Sequence, residues 1–446
     1  MNRLDLNGFR LITLFLEPLE IKSLGICSKQ NKEICKHFMT YSYNEHGNDE
    51  NYVKIQNAKW IVKECIEYML NDIVNKQLNI INISFHRDFN QPINVLSNYT
   101  QLRQLTVPYY FNQPIDALSK CTQLQQLYVD GEFDQQIDAL SKCTKLQQLT
   151  LGGEFNKPID ALSTCPQLQT LYLGDSFDQP IDVLQNCPKL QVLNFSRHAL
   201  FNRPIEVLSR CPQLLALRFG KSFDQPIDTL SNCPQLLTLR FGESFDQPID
   251  TLSNCPQLQR LHFGYNFNRP ICALSNCTQL QALHFGRCFI QPIEALSKCV
   301  QLQYLRFGLH FNQPIEALSN CAQLETFYFG FKSIFNQPIN ALSKCTQLKK
   351  LGFGYNSIFN QPIGALSNCI QLEILCFGGK FNQPIDALSN CVQLQILQFN
   401  GDTKFNQPIN ALSNCAQLQH LYFGRSFNQP IDALSHLHNL IIREKF

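Results

Sequence analysis

One phrase of about two dozen residues, repeated without interruption, constrains this chain more than any other feature. A phenylalanine opens it at positions 89, 111, 133, 155, 177, 201, 223, 245, 267, 289, 311, 335, 359, 381, 405 and 427. Eleven of the fifteen steps are 22 residues and four are 24. The cleanest copies read FNQPIDALSNC, then Gln-Leu, then Leu-x-Phe-Gly. One copy has an apolar face and too little chain to enclose it, so copies must stack on one another. The repeat predicts a solenoid whose core grows along one axis. Its 446 residues therefore need not divide as a globular chain of that length would. A stacked surface also points to binding more than to a catalytic pocket.

The copy from Leu146 to Cys165 shows how a coil is made. Leu146, Leu149 and Leu151 follow an L-x-x-L-x-L pattern; the last two lie two apart, which sends both to one face of a strand. Gly152 and Gly153 break the strand, and the glycines of later copies (Gly220, Gly242, Gly264, Gly286 and Gly308) read as turn residues too. Phe155 is the large core residue. The next position is Asn or Asp in 15 of 16 copies, Ile290 being the exception, and a short polar side chain there is placed to satisfy backbone groups at a corner. Pro158, replaced once by Gln136, suits entry into a short helical turn, and Asp160 favours its positive end. Ile159, Leu162 and Cys165 are spaced by three and point inward together in a 3₁₀-like turn. The class is thus an α/β solenoid, a curved array with a parallel sheet on the concave face. At roughly 4.8 Å per strand, sixteen coils make an arc of about 75–80 Å.

Twenty cysteines first suggest disulfides, but fourteen of them, Cys121 to Cys415, occupy a single slot. Tyr99 and Leu437 take that slot in the first and last repeats, so it accepts apolar residues. One thiol per coil makes a line, not the tetrahedron that zinc requires, and no C-x-x-C occurs. These thiols read as small buried hydrophobes in a reducing, intracellular compartment. A formal charge of +2 gives no global reason to expect nucleic acid or membrane. No apolar run reaches the roughly 18 residues of a membrane span. Acids flank the short apolar stretch of the N-terminus, which argues against a secretory signal.

The phrase FNQPI, followed by a leucine and later by L-x-F-G, resembles the FNIP repeat, a relative of the leucine-rich repeats found largely in social amoebae and giant amoeba-infecting viruses. The resemblance covers residues 89–446. Residues 12–34, ITLFLEPLEIKSLGICSKQNKEI, resemble an F-box. The matching positions are Leu16, Glu17, Pro18, Ile21, Leu24, Ile26, Cys27, Ser28 and Lys29, of which the resemblance implies that Leu16, Pro18, Ile21, Leu24 and Cys27 dock the adaptor. Leu6-Asn7 stands where that family opens with Leu-Pro, and Asn31 where it often has tryptophan. The F-box resemblance implies docking onto a Skp-type adaptor of a cullin ubiquitin ligase, in the host cytoplasm if the source is viral. The alternative for this segment is a helical cap for the solenoid. The organisation is then 1–40, an F-box-like helical module; 41–77, a linker and capping helix; and 78–446, the solenoid. Apolar residues at 3–4 spacing across 53–70 predict the capping helix. Leu78, Ile81 and Ile83 predict the opening strand, and the charged end of IIREKF offers a modest cap at the far end.

The strand position between the second and third core residues faces the concave surface. It carries Tyr128, Tyr172, Arg218, Arg240, His262, His284, Arg306 and Tyr328, with other residue types in the remaining copies. Lys221 and Arg287, three residues beyond Arg218 and His284, widen the patch. Tyr and Arg commonly anchor protein interfaces, and a basic strip favours an acidic or phosphorylated protein partner. The bland alternative is a solvated face without a partner. His262 and His284 lack a third ligand in the slot, so no metal is expected, and the electrostatic footprint is small for nucleic acid. No nucleophile–base–acid set, H-E-x-x-H motif or phosphate-cradling glycine loop is present. The expected function is a non-catalytic, cofactor-free substrate receptor for a ubiquitin ligase, with a plain interaction scaffold or decoy as the alternative. The two-residue inserts before Phe201, Phe335, Phe359 and Phe405 are either contact loops or neutral length variation.

Overall fold

A computed structural model of the chain describes residues 80–400 and 403–444, together with the backbone of the strands Thr40–Tyr43 and Lys59–Cys65. The F-box-like stretch, including Leu16, Pro18, Ile21, Leu24 and Cys27, lies outside the described residues. The chain forms two compact units, residues 1–190 and 191–446.

In the first unit the strands Ile80–Phe85, Gln104–Val107, Gln126–Val129, Gln148–Leu151 and Thr170–Leu173 pair in parallel, each with the next. Between them run five-residue 3₁₀ turns such as Asp160–Thr164, reached through Ile159. The spacing by three is realised in hydrogen bonds: Leu162 N–H donates to the Ile159 carbonyl and Cys165 N–H to that of Leu162, both at 2.9 Å. Ile159, Leu162 and Cys165 are buried together. Tight i→i+3 bonding holds only over short runs, which suits a coil that must turn back within a few residues.

The second unit repeats this design from Val192–Phe195 through Ala216–Arg218, Thr238–Arg240, Arg260–His262, Ala282–His284 and Tyr304–Phe307. It continues to His420–Phe423, beside which Ile441–Glu444 of the C-terminal tail adds a further parallel strand. Here a phenylalanine ends the strand or directly follows it, and two ring columns form. Phe263 stacks on Phe267 of its own coil at 3.7 Å between centroids, while Phe241 and Phe285 of the adjacent coils lie 5.8 and 5.5 Å away. This rigid aromatic spine lies behind the strands.

The Asn/Asp corner is a ladder, as its sequence predicts. In the first unit Asn112 N–H donates to Asn90 Oδ1 at 3.0 Å and Asp134 N–H to Asn112 Oδ1 at 3.1 Å. In the second, Asn268 N–H donates to Asp246 Oδ1 at 2.8 Å and Ile290 N–H to Asn268 Oδ1 at 3.0 Å. Each polar side chain satisfies the backbone of the next coil, at a corner that is exposed to half-buried.

Two expectations need correction. The capping helix across 53–70 is not formed at its centre, where Lys59–Cys65 is a strand paired in parallel with Ile80–Phe85 and with Thr40–Tyr43. The strand Ile80–Phe85 would otherwise present unpaired N–H and C=O groups, and β-branched Ile61 and Val62 suit a pairing that covers them. The repeated glycines do more than end strands. A Cβ on Gly264 would collide with the carbonyl of Gly242, and one on Gly286 with that of Gly264. None of Gly220, Gly242, Gly264, Gly286 and Gly308 has the positive φ found at Gly131 and Gly354. Close approach of successive backbones is what requires them.

Each insert is anchored in its coil by one residue, while the residue directly before the phenylalanine (Leu200, Ile334, Ile358, Lys404) is exposed. Ala199, Ser333, Ser357 and Thr403, two residues before the phenylalanine in each long repeat, are all buried. Phe335 N–H donates to Ser333 Oγ at 3.2 Å, and Phe405 N–H to Thr403 Oγ1 at 3.3 Å.

Candidate functional site

Strand register aligns the predicted slot. Arg218 pairs with Arg240, Arg240 with His262, His262 with His284, His284 with Arg306, and Arg306 with Tyr328. The residues on either side of each are core leucines and phenylalanines, so alternation turns this one position outward. The backbone is held from both sides. Phe219, Phe241, Phe263 and Phe285 donate N–H bonds of 2.8 Å to the carbonyls of Arg240, His262, His284 and Arg306. Five basic or titratable side chains thus stand on consecutive strands, and roughly 4.8 Å separates each from the next.

Tyr328 continues the row, and its ring lies against Gly352 on the following strand. Tyr128 and Tyr172 occupy the same slot within the first unit, each in register with Thr150 between them. Tyr128 donates its hydroxyl to Gln148 Oε1 at 2.6 Å, while Tyr172 is exposed.

A hollow of about 300 Å³ opens over the basic part of the row. Arg218, Arg240, His262 and His284 form its floor with the backbone of the phenylalanines behind them, and Gly242, Gly264 and Gly286 flank it. Its wall holds Arg197, Glu243, Tyr265 and Arg287. Arg287 was expected to widen the patch and does so; Lys221 is not part of the lining. Arg197, Glu243 and Tyr265 were not singled out from the sequence. A readable signal existed, because each lies three residues beyond the strand slot, as Arg287 does. The Arg287 guanidinium lies 5.4 Å from the centre of the Tyr265 ring, a cation–π distance that holds this side of the wall.

The electrostatics are one-sided. The ion pairs Arg269–Asp246 and Lys349–Glu325 of the second unit include no residue of the hollow. Arg218 Nε is shut away from solvent with no acceptor among the described residues. Burial, reinforced by His284 and by Arg240, Arg306 and Arg218, pushes His262 down to about 3. Burial, then Arg306 and Arg240, pushes His284 down to about 4. Both imidazoles are therefore neutral near pH 7, their rings crossing edge-to-face at 4.1 Å. Burial together with Arg218 and Arg197 also lowers Arg240. Such a site holds more positive charge than its one lining acid, Glu243, offsets, and it can donate many hydrogen bonds to an anion. Among the described residues no group of three His, Cys, Asp or Glu could hold a metal, and no helix is long and apolar enough to cross a membrane.

A second exposed feature lies where two long repeats adjoin. Phe331 and Tyr355 stack at 5.7 Å, and Ile334 and Ile358 are exposed beside them.

Several solved leucine-rich-repeat structures are similar to this chain. CroV588, a circular leucine-rich-repeat protein of a giant virus, matches with a TM-score of 0.62 and 27% identity, covering 91% of this chain and 59% of its own. A leucine-rich-repeat protein of Leptospira interrogans matches at 0.60 and 14% identity, covering 87% and 90%. The Toll–Spatzle complex of Drosophila gives 0.70 at 14% identity, covering 87% and 58%. The fold is that of the leucine-rich-repeat solenoids. No protein-family model matches the sequence, and no curated protein does.

Proposed function

We propose that this chain is a receptor that captures an anionic protein partner on the strand face of its second unit. Through its N-terminal segment it would link that partner to a Skp-type adaptor and a cullin ubiquitin ligase. The observation that carries the capture step is the in-register row Arg218–Arg240–His262–His284–Arg306, which has positive charge and no ion-paired acid among the described residues. Arginine is over-represented among interface anchors and suits planar recognition of anions. A solved structure of similar fold, the Toll–Spatzle complex, holds a protein partner.

The ligase step rests on the resemblance of residues 12–34 to an F-box and of residues 89–446 to FNIP repeats. Buried thiols at one slot favour an intracellular, reducing compartment for the whole assembly. Affinity purification from cells separates the two steps. Replacing Leu16 and Leu24 with aspartate should remove the adaptor and cullin while the partner stays. Replacing Arg218 and Arg240 with glutamate should do the reverse. Retention of the adaptor by the first variant sinks the docking step. A captured partner with no adaptor under any condition leaves a binding scaffold without a ubiquitin role.

A further inference from the structure

We infer that the hollow over Arg218, Arg240, His262 and His284 is a receptor for one phosphate monoester carried on a side chain of the protein partner. This deepens the receptor reading and rests on it. The first argument is size. Ligand pockets for whole small molecules span roughly 300–1,000 Å³, so a hollow of about 300 Å³, at the foot of that range, has room for a single protruding group and little more. The second is charge. Four guanidiniums, of Arg197, Arg218, Arg240 and Arg287, share that space with one acid, Glu243. A carboxylate brings one negative charge and satisfies a single bidentate arginine. A phosphate monoester brings roughly −1.5 to −2 and three acceptor oxygens on one centre, so several arginines can bind it together.

The third argument is the state of the donors. The buried Arg218 Nε has no acceptor among the described residues, and two neutral imidazoles add N–H donors without adding repulsion. The fourth is extent. The row is bounded by Asn194 on one side and by Tyr328 and Gly352 on the other. A nucleic acid spreads one charge per phosphate along a track and rewards a long basic stripe; a short compact cluster rewards one concentrated dianion.

The test uses the full-length protein, immobilised, and degenerate peptide libraries with a fixed central phosphoserine, phosphotyrosine or unmodified serine. At least one phosphorylated library should be retained at least tenfold above the serine library. Arg240→Glu should abolish that excess. Arg218→Gln, a milder change in case the charge reversal unfolds the coil, should reduce it at least tenfold. Lys298→Glu, an exposed change on a 3₁₀ turn, should leave it intact. Titration with inorganic phosphate should shift the ring resonances of His262 and His284 in the wild type and not in Arg240→Glu.

Equal retention of all libraries, loss of the excess in Lys298→Glu, or tighter binding of poly(U) than of any phosphopeptide overturns the inference. Capture from cell lysate distinguishes it from the reading beneath it. A partner that stays bound after phosphatase treatment overturns the phosphate site and leaves the receptor standing. Phosphopeptide retention with no partner in any lysate supports the site and overturns the receptor.

Discussion

At the scale of single residues, two kinds of side chain have ionisation set by their coil neighbours. His262 and His284 have folded values of about 3 and about 4, against roughly 6.5 for an unfolded histidine. Between these limits the unfolded chain binds protons that the folded chain refuses. Stability is therefore complete above about pH 6.5 and falls as pH drops towards 4 and then 3. Carboxylates titrate in part of this range, so the difference between two proteins is the useful quantity. The urea midpoint of a His262→Asn, His284→Asn variant should fall less than that of the wild type between pH 7 and 4.5; parallel curves would clear the pair of this role. The slot thiols are the second case. Cys299 Sγ sits 3.4 Å from the Leu274 carbonyl of the preceding coil, and burial pushes the thiol up to about 12. Thiolate is the reactive form, so these groups should resist alkylation. Iodoacetamide at pH 7.5, followed by peptide mapping, should label exposed Cys272 quickly and Cys255, Cys299 and Cys345 only after denaturation. Labelling of the slot at the rate of Cys272 would mean that the coils open readily. The inward slots were legible from the chain because identity repeats there and one residue per coil explains it. The histidine shifts were not, because they arise first from burial between coils and then from charges 22 and 44 residues away, which only the strand register brings together.

At the scale of the coil, one fault in the polar ladder invites repair. Ile290 stands where the other copies have Asn or Asp. It receives a bond from the coil before it: its N–H donates to Asn268 Oδ1 at 3.0 Å. It has no side-chain acceptor to pass on, and the Asn312 N–H has no hydrogen-bond acceptor among the described residues, whereas Asn336 N–H donates to Asn312 Oδ1 at 2.9 Å. Ile290→Asn should restore the rung and stabilise the unit by roughly 0.5–1 kcal/mol. A thermal melt that is unchanged or lowered would show that solvent already serves the Asn312 N–H. The glycine column gives an opposed pair. Gly264→Ala forces a Cβ onto the Gly242 carbonyl and should cost about 1–3 kcal/mol. Gly364, in the 3₁₀ turn Gly364–Asn368, has nothing within 4 Å of an added Cβ, and Gly364→Ala should be neutral or stabilise by roughly 0.4–1 kcal/mol. Equal effects at the two sites would remove the close-approach account. The distinction was beyond the sequence, in which glycine at a strand end reads as a turn; only the distance between successive backbones reveals the other reason. The wall of the hollow was missed for a related cause. Arg197, Glu243 and Tyr265 are three different residue types in one slot, and a slot whose chemistry changes from coil to coil does not announce itself as a surface.

At the scale of the molecule, repetition makes local chemistry collective. The solenoid was legible from its period, because stacking is the one way such copies bury their faces. The strand at Lys59–Cys65 was not: apolar residues spaced by three and four suit a helix, and what decides for a strand is the edge of Ile80–Phe85, a feature of the assembled sheet. The thiols show the same collectivity in energetic form. In the second unit Cys211, Cys255, Cys321, Cys369 and Cys415 are pushed up to about 11, and Cys233, Cys277, Cys299, Cys345 and Cys391 to about 12. Burial is the main cause for each, and for several the neighbouring slot thiols add to it. An unfolded thiol ionises near 8.5. Above that pH the unfolded chain sheds protons that the folded chain keeps. The stability these thiols confer is present below about pH 8.5 and is lost as pH rises towards 11 and 12. Each group steepens the loss by about 1.4 kcal/mol per pH unit at most, and because neighbouring coils unfold together the contributions act at one transition. The denaturant midpoint should be flat from pH 7 to 8.5 and then fall with a slope that grows with the number of slot thiols. Replacing Cys255, Cys299, Cys345 and Cys391 by alanine lowers the midpoint at neutral pH, since each leaves a small cavity, but it should make the decline above pH 9 shallower. A decline equally steep in the variant would assign alkaline loss to lysine and tyrosine instead, and would mean that the thiol column fills space without governing the pH at which the coils come apart.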